Sequence, residues 1–405
     1  MAATLDSILQ KYVAQGDITV NKLLGAALIV ANETGILYSG SAGRIKLATS
    51  APAFDTDSFS WVASLTKVIT TICVLQIVER GLIGLDDDVR HLIPELATVQ
   101  ILRGFDEENG GAPIMVENNT PITLRQLLTH TIGQGYDVGD PDLIRWSQYM
   151  GRTVNATSST REGWNTPLKF EPGKGWYYGT AIDWAGLALE VLTGTTLGEY
   201  MQEHVLDPLG MKETTFHPLR PEIQEKVKDR QVEVAYRGED GGLIEGPLIT
   251  PLEPPVESGG SGLFTTAVDY IKFLQALLQD ANGKGNLLKK ETVDELFRPQ
   301  LDDKQKEDQA KILVGTGFAP DFDELTASEM SWGLTGALNL VDLATGRKKG
   351  SMMWSGVVNP HWFIDPTTGI AATLIVSVLP FGDPVPGKLY KELESVVYSE
   401  LLKKC

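Results

Sequence analysis

From Ile370 to Val378 the chain is nearly continuous in apolar and β-branched residues. A run that dense and that short suits a buried strand. Its neighbours read as strands too. His361–Ile364 is joined to it through the turn residues Asp365-Pro366-Thr367-Thr368-Gly369. Ala337–Val341 and Gly350–Met353 flank a second turn at Thr345-Gly346-Arg347. The remaining strand signals lie at the opposite end of the chain. Gly25–Val30 is apolar, Asn32-Glu33-Thr34-Gly35 has turn chemistry, and Ile36–Ser39 resumes as a hairpin. Between the two ends the period is helical: Ser64–Glu79, ending before Gly81, then Thr123–Thr129, Ala181–Thr193 and Leu197–His204. A further helix runs from a Thr266 cap to about Leu278, with Asp269 three residues on, much as in a capping box. The chain starts in an amphipathic helix and closes in another, Gly387–Lys403, with Leu389, Leu393, Val396, Val397 and Leu401 on one face. Gly238–Gly262 and Pro299–Glu329 read as loops. In the second, the charge run Asp302–Asp308 suits a solvated face. The expected architecture is an α/β (α+β) fold whose antiparallel sheet comes from both termini, flanked by terminal helices, with a large helical insertion. Residues 1–60 and 260–405 then form a discontinuous sheet domain and residues 61–259 a mainly helical one, with a helix over 64–80 at the junction.

Charge narrows the range of partners. Lys and Arg number 35 against 53 Asp and Glu, a formal net charge of −18 in 405 residues. Phosphate backbones and anionic membranes repel such a chain, so neither nucleic acid nor membrane is expected as a partner. No apolar stretch reaches the roughly 18 residues of a membrane span. Cys73 lies in an apolar run and Cys405 is the last residue. That implies no disulfide framework and makes a reducing, cytoplasmic setting natural. Cys73 itself reads as an inert buried thiol.

Few sequence patterns carry chemistry. The five histidines make no metal-binding spacing, no phosphate-cradling Gly-Lys loop occurs, and Gly259-Gly260-Ser261-Gly262 is followed by Leu263, so it is no nucleophile elbow. Neither a metal nor a cofactor is expected. What stands out is Ser64-Leu65-Thr66-Lys67, the one S-x-x-K in the chain. On a helix, Lys67 lies one turn after Ser64 on the same face, within reach of its oxygen. A serine hydroxyl is a weak nucleophile until an adjacent base takes its proton, and a helix N-terminus favours the alkoxide that develops. The alternative is that Ser64 is only an N-cap and Lys67 a surface cation.

Other segments, in order, extend the pattern. They are Glu79-Arg80-Gly81-Leu82 and Leu85-Asp86-Asp87; Leu127-Leu128-Thr129-His130-Thr131; Phe170-Glu171-Pro172-Gly173 with Trp176-Tyr177-Tyr178-Gly179; Pro208-Leu209-Gly210-Met211; and Gly259 to Tyr270. Together with S-x-x-K they resemble the serine β-lactamase and penicillin-binding-protein superfamily, and more closely its class C β-lactamase-like esterases and transesterases. Trp176 to Gly186 and Lys349 to Gly356 are most similar to the fungal statin-type acyltransferases. The resemblance spans about residues 6 to 400.

That resemblance implies roles. Ser64 would be the nucleophile and Lys67 its partner. Tyr178 would be the general base that later returns its proton, its phenol helped toward neutrality by Lys67. The backbone N–H groups of Ser64 and Val357 would form an oxyanion hole. Trp354-Ser355-Gly356 stands where the family's third motif carries K-T-G, and Thr180 where it carries Asn. Both departures remove features that go with β-lactam binding. Trp61, Tyr136 and Phe381, with Trp354, Ser355 and Gly356, are candidate walls of the substrate pocket, and Trp146, Tyr149 and Trp164 are further aromatic candidates. Tyr177 would be a packing residue, and His130 would hold its own turn. The implied activity is acyl transfer from a thioester, on an acyl carrier protein or a CoA-type group, or from an ester, to a hydroxyl of a small natural product. The alternative is an esterase or D-aminoacyl peptidase-type hydrolase using the same residues.

Overall fold

The computed structural model describes residues 2–314, 319, 322 and 325–402. Its centre is a seven-stranded sheet in which every neighbouring pair is antiparallel. The strands are β1 (Gly25–Asn32), β2 (Gly35–Gly43), β3 (Met330–Trp332), β4 (Ala337–Asn339), β5 (Met352–Ser355), β6 (His361–Asp365) and β7 (Ile370–Ile375), in the spatial order β2-β1-β7-β6-β5-β4-β3. The two ends of the chain meet where β1 pairs with β7, Ala27 opposite Ile375 and Val30 opposite Ala372. Every residue of β6 and β7 is buried, as is all of β1 but Asn32. Successive strand residues point to opposite faces, so burial of both sets means that the central strands are covered on both sides. That double cover is why β7 reads as a nearly unbroken apolar run.

Helix α1 (Ala2–Tyr12) packs on β2 and on the closing helix. Within the insertion, α2 (Thr66–Glu79) packs on α3 (Ala181–Thr193). Helix α4 (Ala267–Ala281) packs on β1 and β7. Thr266 caps α4 by accepting from the Asp269 N–H at 3.1 Å, while the Asp269 carboxylate turns outward to the Glu213 N–H and Lys272. Only half of the expected capping box therefore forms. In α2, Thr66 to Ile77 are all buried, so this helix runs through the interior with no solvent face.

The charged stretch read as a loop is in part a helix, α5 (Asp303–Leu313). Asp302 and Gln305 close a capping box, Lys304 pairs with Asp308 one turn on, and the buried face is made of Gln305, Gln309 and Leu313. A buried stripe built on glutamines leaves no apolar periodicity to read. The other expected loop, Gly238–Gly262, holds one short strand, Leu243–Glu245. A hairpin of Gln100–Asp106 with Ala112–Glu117 and a helix at Pro141–Tyr149 lie in regions where no element was expected. The closing helix, α6 (Pro384–Val396), starts earlier than its apolar face suggested and passes into a wider turn over Val397–Leu401. Its expected end at Lys403, and Cys405, lie outside the described residues.

Arg347 and Glu394 join α6 to the sheet side with both side chains fully buried, 3.4 Å apart. Arg347 also donates to the Tyr390 hydroxyl at 3.3 Å. Breaking such a pair from one side strands a charge away from water. Arg347→Met, which leaves the buried Glu394 carboxylate without the guanidinium, should therefore cost about 3–5 kcal/mol in urea unfolding. Adding Glu394→Leu to it should recover part of that loss.

Candidate active site

The turn that carries Ser64 is built before the helix begins. Ala63–Leu65 forms a tight 3₁₀ turn, and α2 starts only at Thr66, two residues after the position expected. Ala63 sits at φ 47°, a left-handed conformation that a non-glycine residue adopts at a cost. The surroundings hold it there. Thr66 Oγ1 donates to the Ala63 carbonyl at 2.7 Å and accepts from the Leu263 N–H at 3.0 Å. Tyr270 donates to the Leu65 carbonyl at 2.9 Å. From the sheet side, Gly356 passes so close that a Cβ would lie 2.6 Å from the Val62 carbonyl oxygen. A side chain there would push the strand off the Ser64 turn, which explains the glycine physically.

Lys67 reaches back as the spacing requires. Its Nζ lies 3.1 Å from Ser64 Oγ, 3.1 Å from the Tyr136 hydroxyl and 2.8 Å from the Gly260 carbonyl. The side chain is buried, and burial lowers its pKa to about 7, with the Asp183 carboxylate pulling the other way. A neutral amine has two N–H donors and one lone pair. Gly260 and Tyr136 can take the two donors, which leaves the lone pair for the Ser64 hydroxyl proton. The surface-cation alternative is excluded by this burial.

Asp183 is a group the sequence reading missed. It is 3% exposed, accepts from Ser258 Oγ at 2.5 Å and from the Gly260 N–H at 3.0 Å, and faces the Lys67 charge. Burial raises its pKa, while Lys67 and those donors hold it down. The Gly260 peptide therefore links the two charges, its N–H on Asp183 and its carbonyl on Lys67. The signal was present in the sequence: an acid inside the otherwise apolar helix Ala181–Leu189.

Tyr178 completes the cluster. Its hydroxyl accepts from the Trp354 indole N–H at 2.7 Å and is hydrogen-bonded with Ser64. Lys67 Nζ stands 4.8 Å from its ring centre. Burial pushes the phenol well above its ordinary range, and the hydrogen bonds with Ser64 and Trp354 pull it back. The expected help from Lys67 does not bring the phenol to neutrality, and Lys67 is the group poised there. His130 lies 4.6 Å from the Tyr178 ring, fully buried at φ 57°, with desolvation holding it neutral.

A cavity of about 410 Å³ opens over Ser64. Trp61, Tyr136, Phe381 and Val357 line it beside Ser64 and Tyr178. Trp61 is fixed by its indole N–H on the Ser261 carbonyl at 2.6 Å. Trp354, Ser355 and Gly356 do not line it. They are buried on the sheet side behind Tyr178, because a strand packed directly on the Ser64 turn has no room to face a ligand. Trp164 is buried against Trp184, Trp146 belongs to a small cluster with Leu102 and Leu143, and Tyr149 is half exposed. None of these three is part of the cavity wall. Tyr177, expected only to pack, does line it, and so do Val138, Ala156, Ile249 and Ile312. Those four come from segments with no motif, so pattern reading had nothing to find.

A serine hydroxyl 3.1 Å from a buried amine, beside a phenol and under an apolar cavity, is an arrangement that suits serine acyl transfer. The chain belongs to the Beta-lactamase family, whose profile matches residues 5–395. It is 33% identical to the lovastatin esterase of Penicillium rubens over 402 residues, 96% of this chain and 97% of that one. It is 33% identical to the monacolin J acid methylbutanoyltransferase of Aspergillus terreus over 356 residues, 86% of this chain and 84% of that one. Among solved structures, the simvastatin synthase of Aspergillus terreus superposes with a TM-score of 0.85 at 30% identity, covering 98% of each chain. This is an enzyme of the acyltransferase and transesterase branch of the family, which has esterases among its relatives. Among the described residues no helix is long and apolar enough to cross a membrane.

With lysine labelled at Cε, an NMR titration should place Lys67 near pH 7. Asp183→Asn keeps an acceptor for Ser258 and Gly260 but removes the negative charge that favours the ammonium form. The Lys67 titration should therefore move to lower pH, and a shift upward would show that Asp183 acts on it in some other way.

Proposed function

We propose that Ser64 is the nucleophile of a ping-pong acyl transfer, with Lys67 as its proton acceptor and Tyr178 as the proton carrier to the leaving group. The observation that carries this reading is the buried Lys67 Nζ, 3.1 Å from Ser64 Oγ, where burial lowers its pKa to about 7 and so makes a lone pair available to the serine proton. As Oγ attacks the donor carbonyl, its proton passes to Lys67 and the new C–O bond forms. The bond from the acyl carbon to the leaving sulfur or oxygen then breaks; Tyr178 gives its proton to this group and takes in its place the one Lys67 holds. In the second half the acceptor hydroxyl loses its proton to the same pair and attacks the acyl carbon, the acyl–Oγ bond breaks, and Lys67 returns that proton to Ser64. The N–H groups of Ser64 and Val357 are the proposed oxyanion donors, supported by the presence of both residues at the cavity wall.

The acceptor is a hydroxyl of a small, largely apolar natural product, as the walls Trp61, Val138, Ile249, Ile312 and Phe381 suit. A water-poor pocket favours an alcohol over water at the acyl-enzyme stage. The donor as an acyl carrier protein or CoA-type thioester, and a cytoplasmic location, belong to the same proposal. So does the division into a sheet unit, residues 1–60 and 260–405, and a helical unit, residues 61–259. The cavity draws residues from both. A second reading, esterase, is favoured by the lovastatin esterase of Penicillium rubens, matched over 97% of its length.

Intact-mass analysis after incubation with butyryl thioester should show one butyryl adduct, mapping to Ser64 and absent in Ser64→Ala. Lys67→Ala and Tyr178→Phe should each slow turnover by about 10²–10⁴-fold. Ester formed with an added alcohol should exceed acid released; the reverse balance would favour the esterase. Turnover should fall as pH drops below about 7, because Lys67 then takes up a proton and loses its lone pair. Cephalosporin hydrolysis should be weak, since Trp354 holds the place of the family's lysine.

A further inference from the structure

One cavity-lining group plays no part in these proton transfers. Tyr177 faces the cavity beside Asp140, and its hydroxyl donates to the Asp140 carboxylate. The direction of that bond is fixed by what else Asp140 does. Its Oδ1 accepts from the Leu143 N–H at 2.8 Å and from Lys169 Nζ at 3.0 Å. Its Oδ2 accepts from Lys169 at 3.0 Å and from Tyr177. A carboxylate offers about four acceptor sites, so this one is filled. It is 7% exposed and held ionised by its donors, and Tyr177 in turn stays a neutral phenol because burial and the neighbouring carboxylate disfavour its anion. The Tyr177 ring is wedged against Gly135, where a Cβ would lie 2.4 Å from the ring. Tyr177 and Asp140 both line the cavity, and the phenol proton is committed to Asp140, so toward a ligand there the oxygen has a lone pair to offer but no hydrogen.

We propose that Tyr177, oriented by Asp140 and Lys169, is a specificity-determining hydrogen-bond acceptor that selects substrates carrying a second, non-reacting hydroxyl. A ligand hydroxyl can donate to it. A ligand ketone, which only accepts, meets an oxygen that also only accepts. The inference rests on the acyl-transfer reading of Ser64 and deepens it by naming a feature of the acceptor.

Three probes test it, each offered as acceptor with butyryl thioester: a decalin diol, the decalin mono-ol lacking the second hydroxyl, and the keto-alcohol with a carbonyl in its place. The unaltered enzyme should favour the diol over either of the others by about tenfold in kcat/KM, mainly through KM. Tyr177→Phe should bring the three close together. Asp140→Asn makes the sharper test. The Leu143 N–H holds the amide oxygen on the Oδ1 side, so the amide NH₂ turns toward Tyr177, whose own proton must then point into the cavity. The preference should invert from diol to keto-alcohol. An asparagine still caps the helix at Pro141–Tyr149, so this variant keeps its local structure. Equal use of diol and mono-ol by the unaltered enzyme, an unchanged ratio in Tyr177→Phe, or an acyl-Ser64 that passes to none of the three would overturn the proposal. Absence of any acyl-Ser64 would instead overturn the reading on which it rests.

Discussion

A lysine amine taken out of water is the constraint around which the site is built. An ammonium buried without compensation is costly, so the group must either find a partner or give up its proton. Lys67 lies between these limits. Asp183 is near enough to favour the charge, but it reaches Lys67 through the Gly260 peptide and not through a direct ion pair. The result is an amine that titrates near neutrality. A direct carboxylate contact would hold it charged and remove the lone pair that the proposed mechanism offers to Ser64.

The rest of the molecule keeps that amine dry and in place. The doubly covered sheet gives β5 a rigid base, and Gly356 lets that base touch the Ser64 turn. Trp354, buried beneath, spends its indole N–H on the Tyr178 hydroxyl. Where lactam-cleaving relatives are expected to carry a cation for the substrate, this chain has a donor that serves its own tyrosine. The cavity above is walled largely by apolar residues from segments far apart in the chain, so acceptor preference can change while the proton-handling cluster stays fixed.

Much of this was legible in the sequence, for identifiable reasons. The sheet was legible because β1 and β7 are buried on both faces and so read as dense apolar runs. Ser64 and Lys67 were legible because one helical turn fixes their separation, and Tyr178 through the segment that surrounds it. Helix α5 was not, since its buried face is glutamine. Asp183 was not, since its role comes from a loop about 75 residues later that no local pattern connects to it. Tyr177 packs on Gly135 as its motif suggested, but its place in the cavity wall and its bond to Asp140 come from segments that no local pattern connects to it. Trp354, Ser355 and Gly356 were placed in the pocket by position in a motif, and the tight approach of β5 to the Ser64 turn puts them behind it.

The central claim is that acyl groups pass through an ester on a serine primed by a neutral amine. Stopped-flow mixing with p-nitrophenyl butyrate at pH 8 tests it most directly. The account requires a burst of about one nitrophenol per enzyme, followed by a slower phase that an added alcohol accelerates without changing the burst. A linear release with no burst, insensitive to alcohol at every concentration, would contradict it.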